Sequence, residues 1–309
     1  MRISVLYPAQ PRSGNGIFPY ADLVREGLAD RLWMGTSIIA ETHQQLAFLA
    51  GAGYRIPVGT SVTLTPLRHP FEAAVEARSL ALLTERPVVA GFGASARTLV
   101  AYLLGSPYER PATVVGDYVR DVRAFLDGRD GALPAVEHPG VEVGAGVLRP
   151  GMARVAGAAA DAAITWLTPP AYLSGTLIPA LDEGAAEDRE RPRVVTVVPT
   201  AVDRPGRSAV KLAYAAAARH LSLPHYVDML RRAGTDVHAD DPVAGAHRLV
   251  DDGNFLFGSR ERIAAGLFAY ACAGVDEVVV NTAGVHLTLG PKAAVEDAEE
   301  ILRAVAGGC

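Results

Sequence analysis

Short apolar runs alternate along this chain with longer segments in which apolar residues recur at helical spacing. The runs are rich in β-branched residues and end at Gly, Pro or small polar residues, which is typical of strands buried on both faces. Eight runs are predicted as strands: Ile3–Tyr7, Leu32–Gly35, Ile56–Leu64, Pro87–Phe92, Val141–Leu148, Ala162–Leu167, Arg193–Val198 and Glu277–Val280. The segments predicted as helices are Tyr20–Leu32, Thr42–Gly51, Pro70–Thr84, Thr98–Leu104, Ala112–Leu126, Pro150–Ala160, Ala171–Ala186, Ser208–Arg232, Arg260–Ala273 and Lys292–Val305.

This alternation predicts an α/β protein, a (β/α)₈ TIM barrel in which the 309 residues form one domain. An excursion interrupts the pattern from about 201 to 257, in the C-terminal half. The alternative is a doubly wound open sheet. Ligands of parallel α/β proteins bind at the carboxyl ends of strands, so the site is expected at the exits of the third and fourth strands, Ser61-Val62-Thr63 and Gly91 to Ser95.

The amino-acid composition argues against nucleic-acid-binding, membrane-spanning and disulfide-rich proteins. The chain is 50% hydrophobic and 20% charged, as in ordinary globular proteins, and its formal net charge of −5 gives no basic footprint for nucleic acid. No apolar run approaches the roughly 20 residues of a membrane span, and the N-terminus begins with a strand instead of a signal peptide. We therefore expect a soluble, cytoplasmic protein. Cys272, expected in a helix core, and the terminal Cys309 suggest neither a disulfide framework nor a zinc site.

Two strand exits carry candidate anion contacts. After the fourth strand, Gly91, Gly93, Ser95 and Arg97 combine flexible backbone, a hydroxyl and a cation at a helix N-terminus, which favours a phosphate. The other interpretation is a tight turn followed by a solvated arginine. After the fifth strand, Leu148, Arg149, Gly151 and Met152 repeat the arrangement, and the alternative for Arg149 is a salt bridge at the barrel rim.

Other candidates follow the second, sixth and eighth strands. Thr36, Ser37 and His43 could bind a ligand or move a proton, although His43 could equally be a surface residue in the first turn of a helix. Trp166 could line a planar ligand or fill the barrel mouth. His286 also faces the mouth in this register, and His69, before Pro70, is better explained as a turn residue.

The absence of familiar motifs narrows the chemistry. The sequence has no GxSxG, HExxH or GxxxxGK[ST] motif, no metal-ligand spacing and no pair of carboxylates on adjacent strand ends. We therefore expect no metal, and a bound organic cofactor is the remaining source of reactivity.

An ordered series of motifs resembles the luciferase-like monooxygenase superfamily, whose members use reduced flavin or the deazaflavin coenzyme F420. The series consists of Trp33-Met34-Gly35, Leu46-Ala47-Phe48-Leu49-Ala50, Arg55 to Val62, Arg68-His69-Pro70, Gly91-Phe92-Gly93, Gly105 to Pro111, Ala156-Gly157 to Asp161-Ala162, Phe257-Gly258-Ser259 and Ala271 to Asp276. The resemblance implies a (β/α)₈ barrel with the flavin-like ring at its carboxyl mouth. It further implies a cis peptide bond at Ser61–Val62, behind the ring, and phosphate contacts at Gly91 to Arg97 and Leu148 to Met152.

One departure from the family bears on the reaction. Sugar-phosphate dehydrogenases of this superfamily carry an Asp-His pair after the second strand and a Glu after the fourth, where this chain has Thr36-Ser37 and Ala94. Their substrate is therefore not carried over. The resemblance favours an F420H₂-dependent reductase that delivers hydride to an activated C=C or C=N bond of a small molecule or modified peptide, as in dehydroalanine reduction during natural-product tailoring. The alternatives are a reduced-FMN monooxygenase and a non-catalytic flavin-binding protein.

The resemblance also suggests a homodimer. Barrels of this superfamily often pair through helices near the N-terminal half, and Leu46, Phe48 and Leu49 on the second predicted helix could serve. Ordinary core packing is the alternative for these three side chains.

Overall fold

Parallel strands form the centre of the molecule. The structure is a computed structural model that describes residues 1–128, 131–185 and 190–307. Within those ranges the strands are β1 (Arg2–Tyr7), β2 (Leu32–Met34), β3 (Val58–Leu64), β4 (Val88–Gly93), β5 (Val141–Gly146), β6 (Ala162–Trp166), β7 (Arg193–Val202), β8 (Leu256–Gly258) and β9 (Glu277–Asn281).

The pairing of the strands closes a barrel. Strands β1 to β7 pair in chain order, β7 pairs with β9, and β9 returns to β1, always in parallel. The short β8 pairs with the far end of β7, Thr200–Val202, beyond the ring of strands. The predicted (β/α)₈ barrel is confirmed, and the open sheet is wrong because β1 and β9 pair.

Helices surround the barrel. They are α1 (Phe18–Arg25), α2 (Thr42–Gly51), α3 (Pro70–Thr84), α4 (Arg97–Leu104), α5 (Pro111–Leu126), α6 (Pro150–Ala159), α7 (Pro170–Tyr172), α8 (Ile178–Gly184), α9 (Ala209–Leu221), α10 (Pro224–Arg232), α11 (Pro242–Asp251), α12 (Arg260–Cys272), α13 (Ala283–Leu289) and α14 (Pro291–Gly307). Short 3₁₀ turns occupy Gly14–Ile17 and Thr65–Leu67, and a π-helical turn occupies Leu173–Leu177. None of these described helices is both long and apolar enough to cross a bilayer.

Two predicted helices differ from the observed ones. Helix α1 ends at Arg25 instead of Leu32 because Gly27 adopts φ +77°, a left-handed conformation that commonly terminates helices. The helix predicted over Ala171–Ala186 is divided by the π turn, just before Pro179, whose missing N–H cannot continue the α-helical bonding. Its last predicted residue, Ala186, lies outside the described residues.

The excursion after β7 is mainly helical. It holds α9, α10, α11 and β8, and the segment predicted as helical over Ser208–Arg232 is divided before Pro224, where α10 begins. Helix α11 was not predicted, because small and polar residues separate its few apolar side chains. Helix α13, directly after β9, was not predicted either, since it spans only seven residues.

One prediction about the core is wrong. Cys272 is exposed at the end of α12, because this helix turns Ile263, Leu267 and Tyr270 towards the barrel instead. Cys309 lies outside the described residues.

Alternate residues of each strand point into the barrel. The inner side chains form a separate apolar cluster, which consists of Leu6, Trp33, Val89, Ala162, Ile164, Val195, Val197 and Val279. The other face of each strand packs against the surrounding helices. Since side chains alternate along β9, Glu277 and Asn281 lie on the same inner side as Val279, at opposite ends of the barrel.

A network of charges closes the amino-terminal floor of the barrel. The Glu277 carboxylate, fully buried, accepts hydrogen bonds from Ser4 Oγ at 2.6 Å, Trp33 Nε1 at 2.7 Å and Arg193 Nη1 at 3.3 Å. Arg31 Nε lies 3.6 Å from the same carboxylate. Burial lowers the pKa of Arg31, while the charge of Glu277 opposes that shift. The positive charges of two arginines therefore offset the free-energy cost of burying this carboxylate beside the apolar cluster.

Candidate active site

The exit of β3 carries the backbone feature expected of the site. The peptide bond Ser61–Val62 is cis, as predicted. The register of β3 against β4 shifts between Thr60 and Thr63, around this bond. Thr36 Oγ1 donates a 2.6 Å hydrogen bond to the Val62 carbonyl, which ties the loop after β2 to the same segment. The predicted residues Thr36, Ser61, Val62 and Thr63 are thus brought together.

Glycines on β4 and β5 leave room for Val62. A Cβ atom at Gly93 would lie 2.6 Å from Val62 Cγ2, and one at Gly91 would lie 2.3 Å from Ile164 Cδ1. Gly146 would bring its Cβ to 3.5 Å from Val62 Cγ1. Side chains from β3 and β6 therefore fill the space beside Gly91 and Gly93, where the sequence predicted ligand contact.

The segment after β4 presents a cation at a helix start. Ser95 is half-buried and adopts φ +69°, which turns the chain from the strand into α4. Arg97 is the first residue of α4 and is exposed. No side chain caps this helix start among the described residues, so its first N–H groups have no side-chain acceptor at the cap.

The exit of β5 shows the rim salt bridge that the sequence analysis offered as the alternative for Arg149. Arg149 precedes α6, and its Nη1 lies 3.5 Å from Asp228 Oδ2 on α10. Leu148 and Met152 are half-buried against the main core, while Gly151 is exposed. Arg149 therefore connects the barrel mouth to the excursion.

Trp166 ends β6 and stacks on a half-buried histidine. Its ring packs against the inner cluster and lies 5.0 Å, centroid to centroid, from the His220 ring at an interplanar angle of 25°. Burial, followed by the charges of Arg219 and His225, lowers the pKa of His220 to about 4. His220 is therefore neutral near pH 7, and it supports the indole from behind.

Several buried polar atoms at the carboxyl ends of the strands lack a partner. Across the described ranges, no hydrogen-bond partner is present for Ser61 Oγ on β3, Trp166 Nε1 on β6 and Asn281 Nδ2 on β9. The Asn281 amide is oriented by its other end, since Oδ1 accepts from Ala283 N at 2.9 Å. An unpaired buried polar group costs roughly 1–3 kcal/mol. These three atoms therefore form a set of vacant hydrogen-bonding positions at the mouth.

Asn281 was not identified by sequence reasoning. An Asn after four strand residues looks like a turn residue, and nothing nearby in the sequence marks it. The available signal was its spacing from Val279, which predicts an inward direction. Its partner in the strand pairing, Pro199 on β7, comes beside it only when the last strand closes the barrel.

Ser37 and His43 are held by local contacts. Ser37 Oγ accepts from Ile39 N at 3.3 Å. His43 Nδ1 lies 2.9 Å from Glu41 Oε1 and 3.0 Å from Arg68 Nη1. Burial raises the pKa of Glu41, but hydrogen bonds from His43 and the Gln44 backbone outweigh it and lower this pKa to about 2. His43 therefore belongs to a charged cluster between α2 and α3.

The two remaining histidine candidates have architectural partners. His69 Nδ1 accepts from Phe71 N at 3.2 Å and caps α3, in line with the turn interpretation. His286 Nδ1 lies 3.0 Å from the Tyr20 hydroxyl, and burial lowers the pKa of this histidine.

The inner mouth contains hydrogen-bonding groups without an acid–base pair. Its inward positions are Val62, Gly93, Gly146, Trp166 and Asn281. In the described parts of the chain, no group of three or more His, Cys, Asp and Glu side chains could hold a metal ion. The arrangement suits a planar ligand that brings polar atoms on its edge and supplies its own reactivity.

The chain is similar to a known protein family over most of its length. The family model for luciferase-like monooxygenase matches residues 20–277, most of the chain. Among curated proteins, none matches the chain in sequence.

Solved structures share the fold over nearly the whole chain. The coenzyme F420-dependent tetrahydromethanopterin reductase from Methanopyrus kandleri gives a TM-score of 0.75 at 17% identity, covering 99% of both chains. An F420-dependent secondary alcohol dehydrogenase in complex with an F420–acetone adduct gives 0.69 at 16% identity, covering 98% of both. The oxygenating constituent of 3,6-diketocamphane monooxygenase from Pseudomonas putida, in complex with FMN, gives 0.63 at 16%, covering 99% of this chain and 98% of the other. At these identities the likeness shows the fold alone.

Proposed function

Because this chain belongs to the luciferase-like monooxygenase family, we propose that it is an F420H₂-dependent reductase. Its substrate would be a small molecule or modified peptide with an activated C=C or C=N bond, and dehydroalanine reduction in natural-product tailoring is one example of such a reaction. Structural neighbours named as F420-dependent enzymes support this choice of cofactor.

The observation that carries the proposal is the chemistry of the inner mouth. Trp166 and Asn281 offer unpartnered N–H donors, and Ser61 offers a hydroxyl, while the inward positions of the described strands carry no titratable side chain at this end. Oxidation of an alcohol needs a base to take the hydroxyl proton. Reduction of an electron-poor double bond needs hydride first and a weakly acidic proton source afterwards. The side chains present therefore suit reduction better.

The unpartnered atoms fit the proposed cofactor. A deazaflavin ring has carbonyl and imino acceptors on its pyrimidine edge, which match donors such as Trp166 Nε1 and Asn281 Nδ2. When bound in its reduced form, this cofactor supplies the hydride. The segment Ser61-Val62-Thr63 would support the ring from behind. Ser95 and Arg97, after the buried Gly91 and Gly93, would receive its phosphate together with Leu148, Arg149, Gly151 and Met152.

The proton has a candidate source in the loop after β2. Thr36 commits its hydroxyl proton to the Val62 carbonyl. Ser37 differs, because its oxygen accepts from the Ile39 backbone and its own proton stays available. We infer that Ser37, or water beside it, donates the proton, and that Thr36 acts by holding the loop. His43 is less suited, since Glu41 and Arg68 engage its Nδ1.

Equilibrium binding of F420 and FMN to the purified protein tests the proposal. We expect selective F420 binding that Arg97→Ala and Arg149→Ala both weaken. Asn281→Asp keeps the Oδ1 acceptor but replaces the donor, and should weaken binding by roughly tenfold or more, the equivalent of one lost hydrogen bond. Arg303→Ala on α14, which removes an exposed cation bonded to Glu299, is the control. Turnover is then measured anaerobically with F420H₂ and electron-poor alkenes.

Other results would favour the alternatives. Selective FMN binding with substrate-dependent oxygen consumption would establish a reduced-FMN monooxygenase, which the FMN complex among the structural neighbours makes a concrete second candidate. Tight cofactor binding without turnover over a broad substrate panel would point to a non-catalytic flavin-binding protein. If neither cofactor bound, the proposal would be overturned.

A further inference from the structure

Helix α10 of the excursion is fixed against the barrel mouth by stacked rings. Tyr226, in the first turn of α10, packs edge-on against His220 with ring centroids 4.9 Å apart. His220 in turn stacks on Trp166 at the end of β6. Burial lowers the pKa of His220, so this ring is uncharged near neutral pH and packs as an aromatic residue. The outer face of α10 is thereby held at a defined position beside the mouth.

A groove on this helix concentrates positive charge on an acidic protein. We call it the α10 groove, and its lining includes Pro224, Val227, Asp228, Arg231, Arg232 and His238. Asp228 contacts Arg232 Nε through both carboxylate oxygens, at 3.1 and 3.0 Å, and Arg149 Nη1 at 3.5 Å. Two arginines therefore contact one carboxylate and Arg231 lines the same groove, although the whole chain has a net charge of −5.

Asp228 orients these arginines without using all their donors. It engages Nε of Arg232, so in the described structure the two terminal nitrogens of that guanidinium stay available to another acceptor. Arg231, which precedes Arg232 in the helix, is exposed. An arginine fixed by one carboxylate is well prepared to bind a second one, because its side chain is already ordered.

A buried phenol completes the arrangement. Tyr172, on α7 after β6, is only 5% exposed, and its hydroxyl has no partner among the residues that the structure describes. Burial raises the pKa of this phenol, and the charges of Arg232, Asp228 and Arg149 also act on it. The hydroxyl thus lies beside the inner end of the groove and is protonated at neutral pH. It can donate one hydrogen bond to an anion held by the arginines.

We propose that the α10 groove, with Arg149 and Tyr172 at its inner end, binds a carboxylate-bearing extension of the ligand that occupies the mouth. This inference rests on the proposed function. F420 carries a chain of glutamates beyond its phosphate, whereas FMN ends at the phosphate. A groove that starts at Arg149, at the exit of β5, and continues along α10 has the position and charge to receive that chain. It gives the protein a basis for choosing between the two cofactors.

Tail length is the variable that tests this inference. Binding of F420 with several glutamates is compared with binding of the same cofactor without glutamates, and with FMN, by fluorescence titration at low ionic strength. We expect the wild type to bind the glutamylated form roughly five- to tenfold more tightly, as a few partly exposed ion pairs would produce. In the double variant Arg231→Gln/Arg232→Gln this preference should disappear, while the affinities for FMN and for the form without glutamates stay unchanged.

Two further variants separate a specific site from general charge. Tyr172→Phe should reduce the preference for the glutamylated form, since it removes only the buried hydroxyl. Arg303→Gln, far along the chain on α14, should leave the preference intact. Equal binding of the two F420 forms by the wild type, or a preference that persists in the double variant, would overturn the inference while leaving the proposed function standing. Failure of both F420 forms to bind would overturn both.

Discussion

Individual polar atoms at the mouth distinguish this protein from a barrel that is merely packed. Trp166 Nε1 and Asn281 Nδ2 are buried and lack partners in the described residues, although most buried polar groups in proteins have one. Sequence reasoning identified Trp166, because an aromatic residue at a strand end is conspicuous. It did not identify Asn281 or His220, because their surroundings are assembled from β7, β9 and the excursion, which are distant in sequence.

His220 should make stability depend on pH. Its pKa falls from 6.5 to about 4 on folding because burial disfavours the charged ring. The unfolded chain therefore binds more protons between these values, so the free energy of unfolding should decrease as the pH is lowered from 6.5 to about 4. Urea denaturation at a series of pH values measures this decrease. In His220→Gln the decrease should be smaller, although the loss of stacking on Trp166 lowers stability at every pH.

His247→Gln provides the matched comparison, because His247 is exposed on α11. This variant should keep the full pH dependence of the wild type. If His220→Gln showed the same decrease as His247→Gln, the neutral, buried state of His220 would be refuted.

Among the elements, β3, β4 and β5 act together to shape one wall of the mouth. The β3 segment with the cis bond projects Val62 inwards, and glycines on the two following strands leave space for it. The strands themselves were predictable from their apolar runs, and the cis bond followed from the family resemblance. The packing partner of the glycines was not predictable, because a glycine in sequence does not reveal which neighbour approaches it.

Substituting Gly93 tests this fit. In Gly93→Ala the new Cβ would lie 2.6 Å from Val62 Cγ2, within the barrel, so β3 or the Val62 side chain must shift. We expect a loss of about 1–3 kcal/mol in the free energy of unfolding, as for other overpacked cores. Chemical denaturation measures it.

The double variant Gly93→Ala/Val62→Ala should recover part of that loss, because the smaller side chain makes room for the added methyl group. Gly51→Ala is the control: a Cβ there meets no atom within 4 Å, at the last residue of α2. Its stability should change by less than about 1 kcal/mol. Strictly additive effects at positions 62 and 93 would argue against the contact.

Helix α2 carries the three side chains that the sequence offered for either pairing or core packing. Leu46 and Leu49 are fully buried in the core of this chain. Phe48 is 48% exposed and stacks on Phe18, with ring centroids 5.9 Å apart. Core packing is thus the observed role of the two leucines, and the homodimer stays a prediction.

A buried ionic network connects distant parts of the chain, and no local sequence pattern predicts it. Ser4 and Glu277 are hydrogen-bonded although 273 positions separate them in the chain. Arg31, Trp33 and Arg193 join the same carboxylate from three other places. The sequence could predict that β1 and the last strand meet, because barrels close. It could not predict that the inner position of that last strand holds a charge that two arginines compensate.

Removing the charge of Glu277 should be costly. Glu277→Gln leaves Arg31 without its buried counter-charge and leaves Arg193 with Glu142 alone, and we expect the free energy of unfolding to fall by about 3–5 kcal/mol. Urea unfolding followed by tryptophan fluorescence also reports on Trp33, which donates to this carboxylate. The matched control is Glu296→Gln, an exposed partner of Lys292 at 3.9 Å, where the change should stay below about 1 kcal/mol. Equal effects of the two substitutions would contradict a structural role for the network.

The closed floor also limits how ligands can come and go. Among the described residues, Glu277, Trp33 and the inner apolar cluster fill the barrel from its amino-terminal end, which leaves the carboxyl mouth as the route to a ligand held against Val62. If a cofactor and a substrate both bind through this mouth, the one that lies deeper must bind first and dissociate last. For two such ligands we expect the steady-state inhibition patterns of an ordered mechanism.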